Sequence, residues 1–147
     1  MPRSGAGQAT AYETLHSFQG SPDGAGPKGA LVIGKSGALY GTTEAGGAST
    51  LGTVFELTKP TGEPWKETVI LSFNGSDGQR PESTLTASTT GALYGTTTQV
   101  AYGGGVENGT IFELAPPSTA GGAWTETVLY SFIYSTQDPQ NVIPVVS

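Results

Sequence analysis

A tandem internal repeat constrains the fold of this 147-residue chain more than any other feature of its sequence. The heptapeptide Gly-Ala-Leu-Tyr-Gly-Thr-Thr occurs twice, and two further blocks follow each copy: Gly-Thr-Val/Ile-Phe-Glu-Leu, and a Trp that leads into Glu-Thr-Val and Ser-Phe. The three pairs of blocks lie at residues 37–43 and 91–97, 52–57 and 109–114, and 65–73 and 124–132. Identity over whole blocks at matched spacing indicates that the chain is built from repeated structural units.

Each repeat contains four short runs rich in Val, Ile, Leu, Thr, Tyr and Phe, which is typical of β-strands. In the first repeat these runs lie at about residues 30–34, 38–43, 53–57 and 67–73. No window has apolar residues at helical spacing. Four antiparallel strands that recur 54 to 59 residues apart are typical of one propeller blade. We therefore predict an all-β fold of antiparallel four-stranded repeats, with two β-propeller-like blades and an extra N-terminal strand at residues 13–18.

The repeat boundaries predict how the chain is organised. Residues 1–10 are expected to be a flexible tail, and residues 11–147 a single β-repeat domain with repeats at about 27–80 and 81–143. Residues 144–147 resemble the start of a third repeat. Two blades cannot close a ring, and they would expose apolar faces. We therefore expect either a homo-oligomer, a dimer or a trimer, that assembles through blade faces, or an internal piece of a longer propeller.

The repeated blocks, together with an Asp-Gly loop and a Pro after each Ser-Phe, resemble the GloVer tandem-repeat family of predicted extracellular bacterial proteins. The resemblance covers nearly everything after residue 10. It implies a repeated β-architecture on the cell surface or outside the cell, but no agreed activity and no catalytic residues. The first residues lack the apolar region of a signal peptide, so we expect a cytoplasmic protein as written or a fragment of a secreted one.

Composition excludes several classes of function. The net charge is −6 and only six residues are Lys or Arg, which argues against nucleic-acid binding. The absence of Cys excludes a zinc–thiolate site and a thiol nucleophile. No run approaches the roughly 20 apolar residues that a membrane-spanning helix needs, so no membrane span is expected.

Acidic residues recur at loop positions that a propeller would place on one rim. Asp23, Asp77 and Asp138 precede the first strand of a repeat, and Glu44 and Glu107 lie in glycine-rich loops after the second strand. Ca²⁺ binds six to eight oxygen ligands, and carboxylates on one rim would supply several of them. We therefore predict these five residues as metal ligands, with Ca²⁺ as the one cofactor that the sequence suggests. The competing interpretation is that the Asp residues only form turns.

Three other residues, and Glu107 again, are candidates for chemistry or ligand binding. His16, the only histidine, is a candidate catalytic base, although apolar or aromatic residues take its place in the other copies. Tyr102, Glu107 and Asn108 are predicted ligand-binding residues, because they lie in the loop that departs most from the repeat.

Aromatic residues of the repeated blocks have two interpretations. Trp65 and Trp124, with Tyr40 and Tyr94, would stack on sugar rings if they were exposed. Their repetition favours packing between blades instead.

Two functions remain open from the sequence. The first is a non-catalytic extracellular-type β-propeller repeat module that binds carbohydrate or another surface ligand, because repeats serve geometry and multivalency. The alternative is a Ca²⁺-dependent hydrolase, similar to a lactonase or an esterase, with an acidic mouth formed by the loops of one rim. This alternative rests on architectural analogy.

Overall fold

The computed structural model describes residues 11–99, 107–134 and 142–145. These residues form ten strands and no helix, and the strands pair antiparallel in two sheets, which confirms the predicted all-β antiparallel fold. The strands are β1 (Gly24–Pro27), β2 (Val32–Ile33), β3 (Leu39–Gly46), β4 (Thr53–Thr58), β5 (Lys66–Ser72), β6 (Thr86–Ala87), β7 (Leu93–Thr96), β8 (Glu107–Ala115), β9 (Thr125–Tyr134) and β10 (Val142–Val145). Within the described ranges there is consequently no helix that would span a membrane.

The first sheet consists of the first repeat. In this sheet β3 pairs with β4, and β4 pairs with β5. Both β1 and β2 lie along the other edge of β3, with Pro27 opposite Thr43 and Val32 opposite Tyr40. They therefore act as one first strand that is interrupted at residues 28–31.

The second sheet repeats this order with β6, β7, β8 and β9. Gly41 lies opposite Phe55 in the first sheet, and Gly95 lies opposite Phe112 in the second. A register shift also occurs at the matching position, before Phe55 in β4 and before Phe112 in β8. The repeated sequence blocks thus occupy equivalent positions in the two sheets, whose blade arrangement stays a prediction.

The predicted extra strand at residues 13–18 is wrong, because the structure places no strand there. These residues match the fourth strand of a repeat, which would pair with a third strand. The third strand of the first repeat, β4, already pairs on both edges with β3 and β5. The segment therefore lies against the face of the first sheet, where the Phe18 ring centroid is 4.9 Å from that of Phe55. Residues 1–10, the predicted tail, lie outside the described residues.

The prediction that residues 144–147 begin a third repeat is wrong for residues 144 and 145. They belong to β10, which pairs with β9 so that Val142 lies opposite Tyr134 and Val145 opposite Ser131. The outer edge of β9 has backbone groups to pair, and β10 satisfies them as a fifth strand of the second sheet.

The hydrophobic core lies between the two sheets and draws on both repeats. Phe73 and Phe112 are completely buried, with ring centroids 5.2 Å apart in an edge-to-face arrangement. The buried members of the core cluster are Ala38, Tyr40, Val54, Phe73, Leu85, Leu93, Phe112 and Leu114. The core therefore joins the two repeats, because neither sheet supplies it alone.

The second glycine of the heptapeptide makes room for this packing. A Cβ atom at Gly95 would lie 2.5 Å from the ring of Phe112, and one at Gly41 would lie 2.6 Å from the ring of Phe55. Both distances are well below van der Waals contact, so a side chain at either glycine would collide with the phenylalanine ring on the neighbouring strand.

We expect Phe112→Ala to lower the free energy of unfolding by about 3 to 5 kcal/mol, since it removes a buried ring and leaves a cavity. Phe55→Ala should fall in the same range, because Phe55 is only 2% exposed. Urea denaturation followed by fluorescence measures both values. Tyr12→Ala is the control, because Tyr12 is 91% exposed and its loss should leave the midpoint unchanged. A urea midpoint for Phe112→Ala equal to that of the wild type would contradict the burial of Phe112 in the core between the sheets.

Candidate functional site

A group of three ionisable side chains forms where residues 12–18, here called the N-terminal segment, lie against the first sheet. His16 Nε2 lies 3.1 Å from Asp23 Oδ2, and Glu67 on β5 completes the group. One potential ligand atom from each residue lies within 4.8 Å of the other two. Within the described ranges, this is the only set of three His, Asp or Glu residues with such spacing.

Asp23 is held in its ionised form. The backbone amides of Gln19 and Gly24 donate hydrogen bonds to its carboxylate at 2.9 and 2.6 Å. Burial raises the pKa of Asp23, but these hydrogen bonds and His16 outweigh burial and leave the pKa below its usual value.

The pKa of Glu67 shifts in the direction opposite to that of Asp23. Its Oε1 atom is buried and has no hydrogen-bond partner. Burial, and then the negative charge of Asp23, raise the pKa of Glu67 above its usual value. The negative charge of Asp23 therefore disfavours ionisation of Glu67, and a proton on Glu67 or a cation between the two groups would relieve the repulsion.

The second repeat contains the same pair of carboxyl groups without the histidine. Asp77, which is 8% exposed, accepts hydrogen bonds from the backbone and side-chain nitrogens of Asn74 at 2.9 and 2.7 Å. Burial, the charge of Asp77 and a hydrogen bond to Asp77 raise the pKa of Glu126 to about 7. Leu71 takes the place of His16 in the sequence. A shared proton explains this second pair without a metal.

Glu44 lies in a different environment, within an ion-pair network that links the two repeats. Lys28 Nζ and Arg80 Nη2 approach Glu44 at 2.5 and 3.4 Å, and both cations also approach Glu82. The hydrogen bond from Lys28, supported by the charges of Lys28 and Arg80, outweighs desolvation and lowers the pKa of Glu44. The structure therefore does not bring Glu44, Asp23 and Asp77 together as ligands of one ion.

Of the remaining predicted site residues, the structure describes only Asn108 and the backbone of Glu107. Asn108 is partly buried in β8, and the backbone of Glu107 begins that strand. Tyr102, Asp138 and the side chain of Glu107 lie outside what the structure describes. Their predicted roles in ligand and metal binding stay predictions.

A second feature is the cleft between the two repeats, with a volume of about 560 Å³. Tyr40 and Trp124 line it from opposite repeats, with ring centroids 5.6 Å apart. The Tyr40 hydroxyl donates a hydrogen bond to Glu56 at 2.7 Å. Burial, and to a smaller extent this hydrogen bond, raise the pKa of Tyr40. Two hairpin loops lie at the mouth of the cleft and contribute Lys35, Ser36, Ser88, Thr89 and Thr90.

Comparison with known proteins identifies the repeat itself. A family model described as the Gloeobacter/Verrucomicrobia repeat matches residues 5–144. This chain belongs to that repeat family. The match confirms the resemblance drawn from the sequence blocks. Searches among curated proteins and solved structures found no match for this Gloeobacter/Verrucomicrobia repeat protein.

Sequence reasoning missed Glu67 and Glu126, which the structure places beside Asp23 and Asp77. In this Gloeobacter/Verrucomicrobia repeat protein, Glu-Thr recurs at Glu13, Glu67 and Glu126. A glutamate repeated in a strand that is otherwise apolar was the available signal. Its partner is not visible from sequence, because Asp23 and Glu67 are brought together only by the fold.

We expect the stability of the protein to fall as the pH rises from about 4.5 to about 7. The Glu126 carboxyl has a pKa of about 7 in the folded state, against 4.5 for the unperturbed group. Between these two pH values the folded chain therefore binds more protons than the unfolded chain. The stabilisation by protonated Glu126 is complete below about pH 4.5 and is lost as the pH rises to about 7. Because the carboxyl is only partly buried, the change should be about 1 kcal/mol.

Urea midpoints of Glu126→Gln across this window test the expectation, since the neutral amide should flatten the pH slope. The exposed Glu63→Gln variant removes the same charge elsewhere and should keep the wild-type slope. An unchanged slope in Glu126→Gln would contradict the assignment of Glu126.

Proposed function

We propose that this chain is a non-catalytic repeat module of propeller-like blades, of an extracellular type, and that its inter-repeat cleft binds carbohydrate. The observation that supports this function is the combination of aromatic and hydroxyl side chains in one open cleft. Carbohydrate sites commonly combine an apolar ring face with a few well-placed polar groups.

The polar groups of the cleft are accessible to a ligand. Lys35, Ser36, Thr89 and Thr90 are exposed and lie on the two hairpin loops at its mouth. Trp124 is partly buried and presents an aromatic surface behind them. Lys35 adds a positive charge to a chain of net charge −6, so acidic glycans are favoured over neutral ones.

The repeated architecture suits weak, multivalent binding. The cleft forms at a junction between two repeats, so an array of repeats would carry one such cleft per junction. Several weak sites at fixed spacing give a high total affinity for a long polysaccharide.

A glycan array that includes acidic polysaccharides, followed by calorimetry with the best ligand, tests this function. Lys35→Ala and Thr89→Ala should each weaken binding about tenfold, because each removes a polar contact worth about 1.4 kcal/mol. Thr61→Ala is the control, since Thr61 is exposed on a loop that does not line the cleft. Absence of any glycan ligand, or equal affinity for all variants, would refute the proposal.

A metal-dependent hydrolase is the second candidate, and the group of His16, Asp23 and Glu67 favours it. One imidazole nitrogen and two carboxylates suit Zn²⁺ or Mn²⁺ better than Ca²⁺, which prefers a larger set of oxygens. A bound cation would relieve the unpartnered Glu67 Oε1 and polarise an ester carbonyl.

Calorimetry with Zn²⁺, Mn²⁺ and Ca²⁺, alongside an ester-hydrolysis assay, tests this second candidate. His16→Leu reproduces the arrangement of the second repeat and should reduce metal affinity at least tenfold. The pair of carboxyl groups at Asp77 and Glu126 is the internal control and should not bind the ions. Equal metal binding by wild type and His16→Leu would rule out this site, as would the absence of binding by wild type.

A further inference from the structure

The two repeats meet through opposite faces of their sheets. The first repeat contributes Tyr40 and Phe73 to the junction, and the second contributes Trp124 and Phe112. We name the face that carries the Tyr and the Ser-Phe phenylalanine the leading face of a repeat. The face that carries the Trp and the Phe of Phe-Glu-Leu is its trailing face. The junction is therefore directional, with a leading face packed on a trailing face.

The residues of this junction recur at the two ends of the described structure. The leading face of the second repeat carries Tyr94 and Phe132, the equivalents of Tyr40 and Phe73. The trailing face of the first repeat carries Phe55 and Trp65, the equivalents of Phe112 and Trp124. The outer faces of the two described sheets thus carry the residues of the two halves of the junction that exists between the repeats.

Equivalent apolar residues are buried at the junction and exposed at the ends. Leu85 on the trailing face of the second repeat is 3% exposed, whereas its equivalent Leu31 on the first repeat is 46% exposed. Ile70 packs against the core, whereas its equivalent Leu129 on the second repeat is 41% exposed. Exposed apolar surface that is buried elsewhere in the same chain indicates an interaction site.

The N-terminal segment shows what the trailing face of the first repeat accepts. Phe18 contacts Phe55 at 4.9 Å as Phe73 contacts Phe112 at 5.2 Å, and both Phe18 and Phe73 follow a serine. The covering is incomplete, because a groove of about 310 Å³ remains between the segment and the sheet, lined in part by Leu31, Phe55 and Leu57. Residues 12–18 therefore replace only a part of a preceding repeat.

We propose that the leading face of the second repeat binds the trailing face of the first repeat of a second copy of this chain. Phe132 of one copy takes the place of Phe18 against Phe55 of the next copy. Tyr94 of the first copy then contacts Trp65 of the second, as Tyr40 contacts Trp124 within the chain. The N-terminal segment competes with the incoming copy and weakens the association.

The proposed interface is heterologous, because it joins two different surfaces. Such contacts form a closed ring when the rotation between copies closes, and a filament when it does not. Two copies would supply four repeats and three copies six, and both numbers occur in closed propellers.

Two complementary variants test the direction of the interface. Leu129→Asp places a charge on the leading face of the second repeat, and Leu31→Asp places one on the trailing face of the first. Both leucines are more than 40% exposed, so both variants should fold, which circular dichroism and urea midpoints verify. Ser49→Asp is the control, because Ser49 is exposed in the loop between β3 and β4, outside the strands that form the two faces.

In sedimentation velocity we expect the wild type and Ser49→Asp to associate as concentration rises, and each of the two face variants alone to stay monomeric. A mixture of the two face variants should form a one-to-one complex, because each retains the face that the other lacks. Phe18→Ala should associate at least tenfold more tightly than the wild type, since the competing ring is removed. A monomeric wild type, a mixture that forms no complex, or a face variant that associates alone would overturn the proposal. Unchanged association of Phe18→Ala would overturn the displacement of Phe18 by Phe132.

Discussion

The edge-to-face contact between Phe73 of one repeat and Phe112 of the next is the interaction on which the rest of the structure depends. It lies at the centre of the core that joins the sheets, and both rings are excluded from water. Gly95 is required because any side chain there would collide with the ring of Phe112. The repeated Gly-Thr-Thr, Phe-Glu-Leu and Ser-Phe blocks are therefore parts of one packing arrangement, which explains why they recur together.

Much of this fold follows from the sequence, because strand pairing within a repeat is local. The second, third and fourth strands of the first repeat lie close to their predicted positions, since runs of strand-forming residues separated by glycine- and proline-rich turns specify them. Residues 13–18 have the pattern of a fourth strand but form none. A strand also needs a free edge, and β4 has none left. The sequence pattern shows that a segment can form a β-strand, but it does not show whether a neighbouring strand has a free edge to pair with.

The candidate site was harder to predict because it depends on contacts between distant residues. Asp23 was identified from its loop and His16 from its rarity, but Glu67 is about 50 residues away and resembles an ordinary strand residue. Glu44 was grouped with the aspartates by its loop position. In the structure it is instead neutralised by Lys28 and Arg80, whose approach depends on how the repeats pack. Loop position alone does not determine which charges meet.

Phe18 on Phe55 reproduces, on the outer face of the first sheet, the edge-to-face contact of Phe73 on Phe112. A double-mutant cycle for each pair, from urea denaturation of the single and double alanine variants, measures the two coupling energies most directly. We expect a favourable coupling of about 0.5 to 1.5 kcal/mol in both pairs, as for other edge-to-face aromatic contacts. Additive effects for Phe18 and Phe55, with coupling only between Phe73 and Phe112, would contradict it.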